Sequence, residues 1–196
     1  MTLISAIVLL FLVIDPFGNV AFFVAALNAV EPERRKRVVI RELVIAYVVM
    51  VAFLFVGQPF LAVLNISGPA LTIAGGVILF LIAIRMVFPV RGATTQEDLD
   101  GEPFIVPLAI PYVAGPSVLA VELLFMSNEP ERWPVWLLAV TAAWAATAVI
   151  VLFGSQLADR LGRRGLIAIE RLMGMILVAI SIQMFLTGAD TYFGRG

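Results

Sequence analysis

Between Leu3 and Thr187 the chain returns repeatedly to apolar runs of about 20 residues, the length that carries an α-helix across the hydrocarbon core of a bilayer. Composition agrees. Hydrophobic residues make up 62% of the 196 and charged residues 14%, with a mean hydropathy of +1.06, whereas soluble domains hold roughly 45 to 50% apolar and about 25% charged residues. An apolar share that large supplies about six spans and leaves little chain for a folded extramembrane domain. A cytosolic enzyme, a nucleic-acid binder and a disulfide-stapled secreted module are all excluded on this ground.

Windows of about 19 residues predict an all-α polytopic membrane protein with six transmembrane helices, near 3–28, 38–64, 69–89, 103–126, 134–157 and 166–187. Residues 1–196 read as a single transmembrane domain. The opening MTLISAIVLL has no basic residues before its apolar run and no small-residue cleavage site, so it reads as the first span and not as a cleaved signal peptide. The longest connection, between Pro89 and Pro103, carries TTQEDLDGE and reads as a solvated loop, because Asp98, Asp100 and Glu102 lack EF-hand spacing.

The chain has no Cys and no His. Thiolate nucleophiles, disulfides, most zinc and haem sites and every Ser-His or Cys-His pair are therefore excluded. No cofactor, no metal and no catalytic residue is expected, and the chain reads as a non-enzyme. An intramembrane protease would lack His for a serine dyad, and Asp15 is the one Asp placed inside a predicted helix, so no aspartyl pair is available.

Eleven of the thirteen Lys and Arg residues fall on one side of the predicted spans: Arg34, Arg35, Lys36, Arg37 and Arg41 at the first connection, Arg85 and Arg91 at the third, and Arg160, Arg163, Arg164 and Arg171 at the fifth. Arg132 and Arg195 oppose them. Positive residues are retained on the cytoplasmic side, which predicts both termini outside the cell. The RRKR run at 34–37 serves as this orientation signal and not as a nucleic-acid patch.

The two halves resemble each other. EPER occurs at 31–34 and again at 129–132, an offset of 98, and at the same offset GGVILFLIAIRM (75–86) aligns with MGMILVAISIQM (173–184). A first repeat over 1–92 and a second over 100–190 each hold three predicted spans. Three is odd, so the second copy enters the membrane in the opposite orientation, the inverted architecture of many secondary transporters. Gly75, Gly76 and Gly174 read as close-packing positions, as does AAWAATA at 142–148.

The first span of each half is interrupted, by IDPFGN (14–19) and by PYVAGPSV (111–118), the latter after Pro107. Proline removes a backbone donor and clashes with the preceding turn, and glycine loosens the chain. Each break falls 12 residues into its span, about 18 Å deep, close to the middle of a core about 30 Å thick. Asp15-Pro16 and Gly115-Pro116 both read as N-cap and first residue of a new half-helix. The N–H groups of Phe17, Gly18 and Asn19, and of Ser117 and Val118, would then stand at positive dipole ends suited to a substrate carboxylate.

Asp15 is the sharpest residue, because a carboxylate at mid-membrane marks a functional site. It could cap its half-helix or bind a cation, a proton or an ammonium group. Without His, proton coupling would fall to Asp15 or to Glu122, four residues past the second break, although Glu122 could instead sit at the interface or pair with an Arg. Asn19, Asn28, Ser117, Thr141, Thr147 and Gln183 are candidate polar lining or interhelical bonding groups.

With IDPFGN, EPERRKR (31–37), NISGPALTIAGGVILFLIAIRMVFP (65–89) and VPLAIPYVAGPS (106–117), the sequence resembles the MarC family of six-span neutral amino acid transporters over nearly its whole length. The resemblance implies a prokaryotic inner-membrane protein related to LysE-type exporters, with small neutral amino acids such as alanine or glycine carried by some members. The family's first motif, Asn or Asp followed by Pro-x-Gly, falls on Asp15, Pro16 and Gly18. Its second, Ala-Gly-Pro-Gly, falls on Ala114, Gly115 and Pro116, but Ser117 replaces the last glycine and narrows the room beside that terminus.

The expected function is a secondary transporter that holds a small zwitterion between the half-helix termini of Asp15, Pro16, Phe17, Gly18 and Asn19 and of Ala114, Gly115, Pro116 and Ser117, by alternating access. Expected partners are the amino acid, a coupling H+ or Na+, the lipid bilayer and a second copy in a homo-oligomer, with no nucleic acid. The alternative is a channel or a structural membrane protein without a carrier cycle.

Overall fold

The computed structural model describes residues 1–27, 30–63, 65–88, 105 and 108–194. The elements are helical, with no strand among the described residues: α1 (Leu3–Ile14), α2 (Pro16–Ala26), α3 (Pro32–Val63), α4 (Gly68–Val87), a π-helical turn (Leu108–Val113), α5 (Pro116–Asn128), a 3-10 turn (Pro130–Arg132), α6 (Trp133–Leu152) and α7 (Gly154–Phe193). Local chemistry sets several starts. The side chains of Thr2 and Ser67 accept from the backbone N–H of Ser5 and Ala70 and cap α1 and α4, satisfying donors that a helix cannot pair internally. Gly162, at φ 65 and ψ 167, kinks α7, a backbone conformation that glycine alone adopts freely.

Among the described residues, five stretches are long and apolar enough to cross a membrane: Leu3–Val24, Pro32–Phe60, Gly68–Val87, Pro130–Leu152 and Ile167–Phe193. The predicted span at 103–126 differs. Its described part is the π-turn followed by α5, whose 13 residues reach about 20 Å, short of a core about 30 Å thick. Helix α3 starts at Pro32, six residues before the predicted span, because the basic run 34–37 continues the helix beyond its apolar part. The acidic loop with Asp98, Asp100 and Glu102, and Arg91, Pro107 and Asn28, lie outside the described residues.

Large apolar side chains cover much of the outside, among them Ile4, Val48, Leu81 and Leu186, each more than half exposed. The interior is also apolar, built on residues such as Leu10, Met50, Leu79, Val121, Trp136 and Leu177. Lipid and core demand the same residue types, so the packing partners are selected by small residues and by polar bonds instead of by hydrophobicity.

The largest interface joins α4 and α7. The two run antiparallel: Gly188 meets Pro69 and Ile73, Gly76 meets Ser181, Met184 and Phe185, and Gly174 meets Ala83, Met86 and Val87. A Cβ on Gly76 would come within 2.9 Å of the Ser181 carbonyl oxygen, and one on Gly174 within 2.9 Å of the Met86 Cβ. The expected close-packing role of these glycines is met. The contacts are reciprocal. Ala83, Met86 and Val87 stand 98 residues before Ser181, Met184 and Phe185, the same offset that separates Gly76 from Gly174.

Four further pairings recur with the halves exchanged: α1 packs on α6 and the π-turn on α3, α2 on α6 and α5 on α3, α2 on α7 and α5 on α4, and α2 on the π-turn and α5 on α1; the lesser contacts α6–α7, α5–α6 and α1–α7 have no such counterpart. Helices α3 and α6 meet each other, joined by the Trp144 indole N–H donating to the Leu43 carbonyl at 2.8 Å and by a Tyr47–Thr141 hydroxyl pair at 2.9 Å. The Thr141 hydroxyl donates to the Leu137 carbonyl, so the Tyr47 hydroxyl is the donor in that pair. Trp144 and the buried Ala143 make AAWAATA the packing surface it was expected to be.

Candidate functional site

Both interruptions are present, and each is built by its own sequence. At the first, α1 gives way to α2 across Asp15 alone, with no spacer. Asp15 has φ 51 and ψ 68, the left-handed region, where a short polar side chain is tolerated better than most. Its N–H closes on the carbonyls of Phe11 and Leu12 as the C-cap of α1, and its carbonyl accepts from Asn19 N–H at 3.0 Å as the start of α2. Pro16 follows at the first helical position, where its missing N–H costs nothing.

The polar side chains of this break are turned back on it. Asp15 Oδ1 accepts from the Gly18 N–H at 3.2 Å, which caps α2 as the sequence predicts. A Cβ on Gly18 would lie 2.1 Å from Asp15 Oδ2, so glycine is what lets the carboxylate reach the helix end. The buried Asn19 amide donates to the Ile14 carbonyl at 2.7 Å, pairing an acceptor that the break sets free. Asn19 thus acts as a brace across the first interruption. Pro16 and Gly18 are buried, and Phe17 is half-buried with its ring edge-on to Phe11.

The second break is wider. The π-turn closes with Ala114 N–H on the Ala109 carbonyl, Ala114 and Gly115 separate it from α5, and Gly115 takes the extended N-cap conformation at φ −80 and ψ 162. Glycine offers no side chain, and α5 has no side-chain cap. Ala114 and Gly115 are buried while Pro116 is exposed, so Pro116 shapes the backbone without facing the same interior as its neighbours. Ser117 is 3% exposed and its hydroxyl has no hydrogen-bond partner among the described residues.

The elements that carry the breaks touch. Helix α1 meets α5, α2 meets the π-turn, and the Phe22 and Tyr112 rings stack with centroids 4.1 Å apart.

Glu122 lies seven residues along α5 from Gly115, about 10 Å. It is fully buried, and neither carboxyl oxygen has a partner among the described residues, so no Arg pair forms among them. The sequence reading missed a second buried carboxyl. Glu42 on α3 is also fully buried; one oxygen accepts from Arg41 Nε at 3.0 Å, and the other has no partner among the described residues. An acidic residue inside VVIRELVIAYVV was the available signal, masked by treating Arg41 purely as an orientation charge. Thr147 and Thr141 bond to carbonyls of their own helix, and the exposed Gln183 bonds to Thr187. No cluster of three or more His, Cys, Asp or Glu side chains forms among the described residues.

Outside the spans, Glu129 accepts from Arg132 and from the Met1 amine, and Arg132 also donates to the Met1 carbonyl and lies 4.9 Å over the Trp136 ring. The Arg132 bond, with help from the amine, holds the Glu129 carboxyl below the usual carboxylate range.

The profile of MarC family integral membrane proteins matches residues 1–193. The chain is 47% identical over 187 residues to the UPF0056 inner membrane protein YhgN of Escherichia coli K12, covering 95% of each chain. It is 44% identical over 191 residues to a UPF0056 membrane protein of Buchnera aphidicola from Schizaphis graminum, covering 97% of each, and 32% identical over 196 residues to one from Chlamydia pneumoniae, covering 99% of this chain and 96% of the other. No solved structure matches. A match to the family profile over nearly the whole length, borne on residues that include both interruptions, makes this chain a member of the MarC family of integral membrane proteins.

Proposed function

We propose that the protein is a secondary transporter of small neutral amino acids, of the size of alanine, glycine or serine, working by alternating access in a prokaryotic inner membrane with both termini outside. The observation that carries this reading is the pair of interruptions at Asp15 and Gly115, on elements that touch each other. Helix ends inside a membrane are retained where they meet a ligand or line a cavity. A zwitterion suits these two: its carboxylate matches the uncapped N-terminus of α5, and its ammonium group matches the Asp15 carboxylate. The small residues Ala114 and Ser117 suit a substrate with a small side chain, while Gly18 makes way for the Asp15 carboxylate.

Two features support an inverted pair of three-helix repeats, with α5 and the segment before it as a sixth, broken crossing. One is the reciprocal contact of α4 and α7 at the sequence offset of 98, and the other is the recurrence of helix pairings with the halves exchanged. Two halves that contact each other through equivalent surfaces can exchange roles by rocking.

The test is uptake of labelled alanine, glycine and serine by purified protein in liposomes under imposed H+ and Na+ gradients. The reading predicts uptake by the wild type and its loss in Asp15→Ala; absence of uptake under every gradient, or normal uptake by Asp15→Ala, overturns it.

A further inference from the structure

The buried carboxyl of Glu122 caps neither break and makes no ion pair among the described residues. We propose that Glu122 is the proton-carrying residue of the protein, so that transport is coupled to H+ and not to Na+; the proposal rests on the carrier reading above and names its coupling ion.

The argument starts from what surrounds the group. Glu122 is 0% exposed, and both of its oxygens lack partners among the described residues. Folded proteins satisfy nearly all buried polar groups, and one left unpaired calls for a functional explanation. The elements packed against α5 are α1, α3, α4, α6 and the 3-10 turn, and the π-turn precedes it in the chain. Helices α1 and α6 contain no titratable side chain, and α4 contains only Arg85, exposed in its last turn. The acids and bases of α3 lie between Glu33 and Glu42, with Tyr47 the last titratable group, while the part of α3 that reaches α5 is at Gly57 and Gln58. Tyr112 stands on the π-turn, and Glu131 and Arg132 on the 3-10 turn at the far end of α5. Among the described residues no cation is placed to pair with Glu122.

Sodium needs several oxygens converging on one point, supplied in transporters by unwound backbone and side chains. Helix α5 runs unbroken through Glu122, so its carbonyls are engaged in the helix, and no cluster of three or more acidic side chains forms among the described residues. A carboxyl walled off from water and from cations has one small ligand open to it, the proton. Asp15 is unlike it, because it is engaged as the cap of α2. Glu42 is unlike it too, because one of its oxygens is paired with the Arg41 guanidinium.

The chemistry is a reversible proton transfer without redox change. A proton from water on one side forms an O–H bond with a Glu122 oxygen. The same bond breaks when the carboxyl faces the other side, and the proton leaves to water there. Helix α5 touches α1 and α6 as well as α3 and α4, so a rocking of the halves changes what lies against Glu122.

The test is alanine accumulation in proteoliposomes, driven in parallel by a pH gradient and by a sodium gradient, for wild type, Glu122→Gln and Glu122→Asp. The proposal predicts that the pH gradient alone drives the wild type, that Glu122→Gln loses this accumulation by about tenfold or more, and that Glu122→Asp, which keeps a carboxyl, recovers a substantial part of it. Accumulation driven by sodium, or equal pH-driven accumulation in Glu122→Gln, overturns the proposal and leaves the carrier reading standing. No movement of alanine, glycine or serine by the wild type overturns both. If Glu122→Gln does not yield monodisperse protein, the pH profile of wild-type uptake is compared with that of Glu122→Asp: a displaced profile supports the assignment and superimposable profiles overturn it.

Discussion

The two interruptions look alike in sequence and differ in chemistry. At the first, Asp15 serves both helices at once and points its carboxylate at Gly18, while Asn19 pairs the freed Ile14 carbonyl. At the second, Gly115 offers no cap, and Ser117 and Glu122 hold buried oxygens without partners among the described residues. One break is closed by its own side chains and the other is left open. The lesson is that a shared Pro-and-Gly pattern specifies where a helix stops, whereas the residues beside it decide whether the exposed ends are filled from within or kept for something else.

Substitutions at equivalent places should therefore have unequal effects. The largest is expected for Asn19→Ala, which leaves the Ile14 carbonyl unpaired in a buried site and is expected to cost about 1–3 kcal/mol, measurable by thermal or denaturant unfolding in detergent. Next is Gly18→Ala: its Cβ falls 2.1 Å from Asp15 Oδ2, so the carboxylate swings off the Gly18 N–H and the cap is lost, about 0.5–2 kcal/mol. At the second break the sign changes: Ser117→Ala removes a buried hydroxyl that has no partner among the described residues, and is expected to be neutral or to stabilise by up to about 1 kcal/mol. A loss on Ser117→Ala as large as that on Asn19→Ala would break the comparison.

The smallest effect is a pH dependence confined to the second half. The Glu129 carboxyl, held low chiefly by Arg132, is ionised in the folded state over a wider range than in the unfolded chain. Its contribution is present above the ordinary Glu value near about 4.3 and is lost as pH falls through the lower folded-state value. Unfolding midpoints measured from pH 6 downward should show this loss in the wild type and not in Glu129→Gln, and added salt should shrink the difference because the group is exposed.

Much of this was legible in the sequence, for reasons that are themselves physical. Long apolar runs, proline after a capping residue and small residues at a constant offset are local signals, and they located five spans, both interruptions and the close-packing glycines, though not which helices those glycines join. What was not legible depends on the rotation of each helix about its axis. Where lipid and core are equally apolar, no amphipathic stripe records which side faces inward. Glu42 beside Arg41, the Trp144 bond to Leu43 and the inward turn of Asn19 toward Ile14 follow from that rotation and emerge only in three dimensions. The fourth predicted span is seen only in part among the described residues: the break predicted within it falls at Ala114 and Gly115, where hydropathy runs on and the backbone does not.

The central claim is that the open and closed breaks together form a carrier site and not a pore. Counterflow of labelled alanine into liposomes preloaded with unlabelled alanine tests it most directly. The account predicts that entry saturates with external alanine and is accelerated by alanine inside. Flux that rises without saturation and is indifferent to internal alanine would contradict it.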